Sequence, residues 1–466
     1  MRLPWGWILG LPALALLPVL AGTFNYDDVV TVLRHPGAMG AGLINRPLFR
    51  ASLALDYLLW GLNPAGYHLT SLLLHLANVA LLATLAGALA RMGGLARPGR
   101  VALAAGLLFG LHPLAASAAC YVSERSALLV AASALLVFHA LVRGRPGWAT
   151  TAWLAGCLSK ESAAAIPFCS LALLPLIPAG PGRAAARRWA LGACLAAALF
   201  GGWILWRHLE QPLPEDRPGR TAYALTELRA VWTYLRLWIL PFHQALDADI
   251  GLSSGWLGPA TTLLGALGLL VLGLALFKTG RWLRAGVLVA LIALLPESSF
   301  AVLQDPRQDY RMYLPSAALA LAAAPFLSGG RRLLAVLAAA GLLLTAAQAR
   351  AWTSEAGIWQ WNLRVAPRKL RVHSNLAQRY RRQAGHFRGP LLWAAAERTI
   401  GRAIRIRERP EQHRDLAVIA YERGDQAKAM EALARALLLE PGRPDCLALR
   451  ELFLARPRLG ALYSAP

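Results

Sequence analysis

An adjacent carboxylate pair, Asp27-Asp28, follows the first apolar stretch of the chain, Leu9 to Leu20. Such a pair of bases at the mouth of a membrane bundle is what a membrane-embedded transferase or a proton-coupled carrier would need. Other charged residues recur in short polar segments: Glu124-Arg125 after Ser123, and Lys160-Glu161. A later segment reads Gln304-Asp305-Pro306-Arg307-Gln308-Asp309-Tyr310-Arg311. Its Arg307 and Arg311 are four apart, a spacing at which two forked guanidinium groups could clamp a phosphate. The plainer reading pairs them with Asp305 and Asp309. Asp247 and Asp249 form a second acidic site, for which a structural role is the simple alternative. His68, Ser71, His75 and Asn78 lie at offsets of 0, 3, 7 and 10, one face of a helix. That face either carries hydrogen bonds between helices or walls a polar cavity. His112-Pro113 closes another apolar run.

These residues must be positioned by a chain built for lipid. Hydrophobic residues make up 57% of 466, charged residues 16%, and mean hydropathy is +0.45. Soluble chains carry about 25% charged residues, so the composition excludes an ordinary soluble domain. Continuous apolar runs, where barrel strands would alternate, exclude a β-barrel. The expected fold is all-α, a polytopic membrane bundle. Runs at 7–21, 68–90, 101–117, 126–142, 148–159, 163–179, 189–206, 256–277, 285–303, 312–328 and 333–349 suggest about eleven spans.

Orientation follows from the loops. One alternate set holds Arg91, Arg97, Arg100, Arg143, Arg145, Arg183, Arg187, Arg188, Lys278, Arg281, Arg284, Arg331 and Arg332, and no Asp or Glu. The other set holds Asp27, Asp28, Glu124, Lys160, Glu161, Glu210, Asp216, Asp247, Asp249, Asp305 and Asp309. The first faces the cytoplasm, so every candidate site residue in a loop faces outward. The N-terminus is expected inside, with its first helix retained rather than cleaved as a signal peptide.

The membrane domain is expected over 1–350, with outward loops at 22–67 and 207–255. Leu48, Leu53, Leu55, Leu58 and Leu59 pattern an interfacial helix in the first loop; Thr221 to Leu240 patterns one in the second. After Arg350 a soluble domain, 351–466, is expected outside. Within it Asp415 to Pro441 reads as a tetratricopeptide unit, with small residues and a Gly424-Asp425 turn. A degenerate copy spans 373–383 and 393–407. The net charge of +23 divides between the cytoplasmic arginines and the cluster Arg364, Arg368, Lys369, Arg371, Arg379, Arg381 and Arg382. That distribution points to lipid headgroups or an acidic partner and not to nucleic acid. Cys120, Cys157, Cys169, Cys194 and Cys446 suggest neither a disulfide framework nor a metal site.

Several segments in order resemble the transmembrane and tetratricopeptide-repeat O-mannosyltransferase family and its bacterial relatives. They are Asn45-Arg46-Pro47-Leu48; Gly61-Leu62-Asn63-Pro64-Ala65-Gly66-Tyr67-His68 with Leu74-His75; Leu111-His112-Pro113; Ser123-Glu124-Arg125; and Leu158-Ser159-Lys160-Glu161. Tyr234-Leu235-Arg236, Tyr310-Arg311-Met312-Tyr313-Leu314-Pro315-Ser316, Ala351-Trp352 through Trp359, Ala366-Pro367 and Asn375-Leu376 continue the series. The resemblance implies a GT-C fold and a polyprenyl-phosphate sugar donor, with mannose a candidate sugar. It implies inverting transfer to a protein or glycan hydroxyl at the outer face. Asp27 or Asp28 would be the base, and Arg307, Arg311, Lys160 and Arg125 would hold the donor phosphate. His68, His75, His112, Glu124, Glu161 and Tyr310 would line the substrate cavity. A divalent cation is left open. The chain departs from the family after His112-Pro113, where Leu114 to Ala119 lacks the family's acidic residue. A transporter or flippase for a lipid-linked solute, or an inactive envelope scaffold, are the competing readings.

Overall fold

The computed structural model describes residues 3–33, 46–213, 217–299, 301–303, 305–387 and 389–455. Asn45, Pro214, Asp216 and Gln304 lie outside the described residues. Those described fold into helices and contain no strand. They divide into two compact units, 1–246 with 250–353, and 247–249 with 354–466. The boundary therefore falls three residues after the expected one, and a short piece of the 207–255 loop belongs to the second unit.

In the first unit the chain runs through α1 (Trp5–Leu16), α2 (Pro47–Trp60), α3 (Pro64–Met92), α4 (Pro98–Gly110), α5 (Pro113–Cys120), α6 (Arg125–Val142) and α7 (Pro146–Cys157). It continues through α8 (Ile166–Leu173), α9 (Pro181–Glu210), α10 (Arg220–Ile239), α11 (Thr261–Leu276), α12 (Arg281–Leu294), α13 (Tyr313–Leu327) and α14 (Arg331–Ala351). Proline opens many of these helices because the first turn has no use for its missing N–H. At α3, Asn63 adds a side-chain cap, accepting from the Ala65 N–H at 3.1 Å.

Among the described residues four helices are long and apolar enough to cross a membrane: Pro64–Met92, Val122–Val142, Pro181–Glu210 and Arg331–Ala351. The pair Pro98–Gly110 and Pro113–Cys120 makes a fifth if counted together, and it bends by 59°. Trp5–Ala21, Glu161–Leu176 and Thr261–Leu276 are apolar but shorter. Two expected runs are corrected. The 101–117 run breaks at Leu111-His112, because Pro113 cannot donate into the preceding turn. The 285–303 run ends its helix at Leu294, just before Pro296, whose missing N–H cannot continue the hydrogen-bond ladder.

The core is built from α3, α4, α6, α12 and α13, with alanine, leucine and valine buried between them. Small residues permit close approach. A Cβ on Gly286 of α12 would stand 2.5 Å from the Ala318 carbonyl oxygen and 2.5 Å from the Ala322 Cβ of α13. Away from this core the large side chains turn outward. Leu195, Leu199, Phe200, Trp203 and Trp206 on α9 are exposed, as are Leu264, Leu267, Leu270, Val271 and Leu274 on α11. An apolar exterior of this extent suits hydrocarbon, not water.

The second unit contains α15 (Glu355–Val365), α16 (Leu370–Phe387), α17 (Pro390–Ile406), α18 (Pro410–Arg423), α19 (Gln426–Leu439) and α20 (Pro444–Ala455). Helices α16 and α17 form one antiparallel pair, α18 and α19 another. Between the latter, Gly424 takes a φ of 96° and ends α18, and Asp425 caps α19 through the Lys428 N–H at 3.1 Å. Ala417, Ala420, Ala429, Ala432, Leu433 and Ala436 fill the seam. The basic cluster expected to meet a partner is largely matched within this unit. Lys369 and Arg371 pair with Asp247 at 3.1 and 2.5 Å, Arg379 with Glu355 at 3.4 Å, and Arg381 with Glu422.

Candidate functional site

A cavity of about 1030 Å³ opens in the first unit. Its charged and polar lining includes Asp27, Arg46, Glu124, Lys160, Glu161, Glu297, Asp305, Tyr310 and Arg311. Its apolar lining includes Phe168, Leu171 and Ala172 from α8, Ala197, Gly201, Ile204 and Leu205 from α9, and Ile292 and Leu295 at the end of α12. Six of the sequence-derived candidates thus meet at one place: Asp27, Glu124, Lys160, Glu161, Tyr310 and Arg311.

The carboxylate pair divides. Asp28 is fully buried; its Oδ1 accepts from the Ser123 N–H and hydroxyl, both at 2.7 Å, and its Oδ2 from the Asn25 N–H at 3.2 Å. Burial outweighs these hydrogen bonds and raises its carboxyl from 3.8 to about 7. Asp27 instead is exposed and lines the cavity, and its Oδ2 accepts from the Tyr121 hydroxyl at 2.8 Å. Burial and the adjacent Asp27 push the Tyr121 phenol well above its usual value, so it remains a neutral donor. Tyr26, just before the pair, holds a left-handed φ of 51°, and Arg46, also in the lining, one of 56°. Such backbone strain in non-glycine residues clusters where a fold must aim particular groups.

The cations are held by carboxylates. Lys160 Nζ stands 2.8 Å from Glu297 Oε1 and 3.4 Å from Glu124 Oε2, and 5.4 Å from the centre of the Tyr310 ring. Arg311 reaches Glu297 Oε2 from its Nε at 3.3 Å and Glu227 Oε1 from Nη1 at 3.7 Å. The backbone fixes its fork: Nη1 donates to the Pro306 carbonyl at 2.9 Å and Nη2 to that of Asp305 at 2.8 Å. Burial works against charge on Lys160, but Glu124 and Glu297 outweigh it and hold the ammonium above its usual range. Glu297, likewise opposed by burial, is held below the usual carboxylate range by Lys160 and Arg311. Arg46 forms an exposed forked pair with Glu161 at 2.8 Å.

The remaining candidates have other partners, none lining the cavity. Arg125 is buried against Asp56 at 2.5 Å. Arg307 forks onto Asp309 at 2.9 and 3.1 Å, as the plainer reading had it. His68, His75 and His112 also do not line the cavity. His75 receives the Tyr313 hydroxyl at Nδ1, 2.8 Å, and donates from Nε2 to the Gly110 carbonyl at 3.2 Å. Asn78 donates to the Leu128 carbonyl at 3.0 Å. His68 Nε2 lies 3.4 Å from the Thr23 carbonyl. His112 caps α5: Nδ1 accepts from the Leu114 N–H at 3.2 Å, while Nε2 donates to the Trp238 carbonyl at 2.9 Å. Two such partners require a neutral ring with its proton on Nε2. The histidine face is thus a set of interhelical hydrogen bonds.

Glu297 is the central residue that sequence reasoning passed over, because it lay inside a run taken for a span. Pro296 was the available signal, as it marks the helix end and places Glu297 in a turn. Among the described residues no group of three or more His, Cys, Asp or Glu side chains forms a metal cage. Compared with family models, curated proteins and solved structures, the chain matches none.

Proposed function

We propose that this protein is a GT-C-type membrane glycosyltransferase. It transfers a sugar, with mannose the first candidate, from a polyprenyl-phosphate donor to a hydroxyl of a protein or glycan at the outer face. The observation that supports this most is the division of the cavity lining between charged residues, Asp27, Lys160 and Arg311 among them, and apolar residues of α8, α9 and α12. A lipid-linked sugar has the same division, an apolar chain joined to a phosphate and a polar ring. The other supports are the ordered segments from Arg46-Pro47-Leu48 to Asn375-Leu376.

In this reading the acceptor O–H attacks the anomeric carbon, Asp27 takes the proton, and the bond from that carbon to the phosphate oxygen breaks. The polyprenyl phosphate leaves with the electron pair, and Lys160 and Arg311 offset its charge. Tyr121 holds the base in place through its hydrogen bond to Asp27. The three shorter apolar helices together with α7, α12 and α13 complete about eleven spans, with the N-terminus inside. The second unit, two helix pairs with a tetratricopeptide-like seam, lies outside and presents the acceptor.

The purified protein in nanodiscs, given a panel of polyprenyl-phosphate sugars, should release polyprenyl phosphate with at least one sugar, and Asp27→Asn should not. Movement of intact donor across the bilayer without cleavage would establish the flippase reading instead.

A further inference from the structure

The cations of the cavity already share an anion. Glu297 presents one carboxylate oxygen to Lys160 at 2.8 Å and the other to Arg311 at 3.3 Å. This two-oxygen bridge between two cations is the arrangement a phosphate group would adopt between them. Neither cation is otherwise unmatched, since Lys160 also meets Glu124 and Arg311 also meets Glu227. The lining has three cations, Arg46, Lys160 and Arg311, against five carboxylates, a formal excess of two negative charges. Lys160 and Arg311 keep Glu297 ionised in spite of its burial.

Substrate and product of lipid-phosphate transfer differ in charge at this point. The donor is a phosphodiester with a single negative charge. The product is a phosphomonoester, which carries about −1.5 to −2 near neutral pH. A site with no spare cation accommodates one additional negative charge far better than two.

We propose that Glu297 is the residue that selects between these charge states. It occupies the counter-ion position between Lys160 and Arg311, admits the phosphodiester and ejects the phosphomonoester. Resting on the lipid-phosphate reading above, this assigns Glu297 two roles: specificity for the donor headgroup and release of the product. The residue touches the phosphate's cations and not the reacting carbon, so its effect is on binding and release.

The test uses two soluble probes that differ in this charge and by one methyl group, citronellyl phosphate and its methyl phosphodiester. Binding to the full-length protein in nanodiscs is measured by calorimetry at one pH, 7.5, above the second ionisation of a monoester at about 6. The unaltered protein should bind the diester more tightly than the monoester. In Glu297→Gln the monoester should gain about tenfold in affinity and the diester clearly less, because one like charge has been removed. Glu297→Asp keeps the charge and should keep the unaltered preference. A preference unchanged in Glu297→Gln, or lost equally in Glu297→Asp, overturns the assignment. If the Gln variant does not fold, the unaltered protein decides: equal affinity for both esters overturns it. Binding of neither ester overturns the lipid-phosphate reading itself.

Discussion

Arg125 offers the sharpest test of how the charges are divided between structure and chemistry. Its side chain is fully buried, and its guanidinium is completely partnered by α2 and α3. Nη2 stands 2.5 Å from Asp56 Oδ2 and donates to the Tyr67 carbonyl at 2.9 Å. Nη1 donates to the Ser52 carbonyl at 3.2 Å and Nε to the Ser71 hydroxyl at 3.3 Å. Asp56 is 1% exposed, and its other oxygen accepts from Thr70 at 2.6 Å. Arg125→Met fills a similar volume but strands the Asp56 carboxylate without its counter-ion. Breaking a buried pair in this way costs about 3–5 kcal/mol, whereas replacing both partners by apolar groups is often close to neutral. Arg125→Met should therefore lower the heat-unfolding midpoint of the detergent-solubilised protein, followed by tryptophan fluorescence. Adding Asp56→Leu should restore most of the loss, a non-additivity that isolates the pair. Lipid-phosphate binding by the folded fraction should be unchanged. A normal midpoint in Arg125→Met together with weakened phosphate binding would refute the structural assignment and return Arg125 to the donor site.

Asp27→Asn should slow transfer by about 10²–10⁴-fold, the usual contribution of a general base, while donor binding persists. Asp28→Asn should mainly alter stability, and an equal loss of rate at unchanged stability in that variant would return the base role to the pair. Burial raises Asp28 from 3.8 to about 7 and Glu227 from 4.5 to about 7, so the folded chain holds these protons more tightly than the unfolded one. Their stabilising contribution is thus full below about pH 4 and lost as pH rises through about 7. Melting midpoints taken from pH 5 to pH 8 should fall from this cause, and Asp28→Asn should flatten the fall; an identical slope in the variant would exclude Asp28 as a source. Gly286→Ala places a methyl group 2.5 Å from the Ala318 carbonyl oxygen, so α12 and α13 must separate. The expected cost is about 1–3 kcal/mol, read as a lower melting midpoint, and an unchanged midpoint would show that the two helices can part freely.

Much of the helical architecture was legible because apolar length and proline position act locally. The 68–90 run needed only its own sequence and the Asn63-Pro64 cap to become α3, and Thr221 to Leu240 became α10 for the same reason. Where the reading failed, local signals competed. Apolar composition carried the 285–303 run past Pro296, and Glu297 was hidden with it. The 101–117 run was bent at Pro113, whose missing N–H outweighed the continuity of the apolar residues.

By itself the sequence determined that this chain is helical and apolar enough for a membrane, and which polar residues interrupt it. Those properties depend on composition and on spacing along one chain. Only the tertiary structure decided how the polar residues divide their work. Arg125 and Arg311 are the same residue type in similar polar segments, yet one meets Asp56 in the core and the other lines a cavity with Glu297. Asp27 and Asp28 are adjacent, yet one faces the cavity and the other is buried against Ser123. The physical reason is that a charge buried away from water must find its counter-ion in three dimensions, and that partner can lie more than a hundred residues away, as Glu297 does from Lys160.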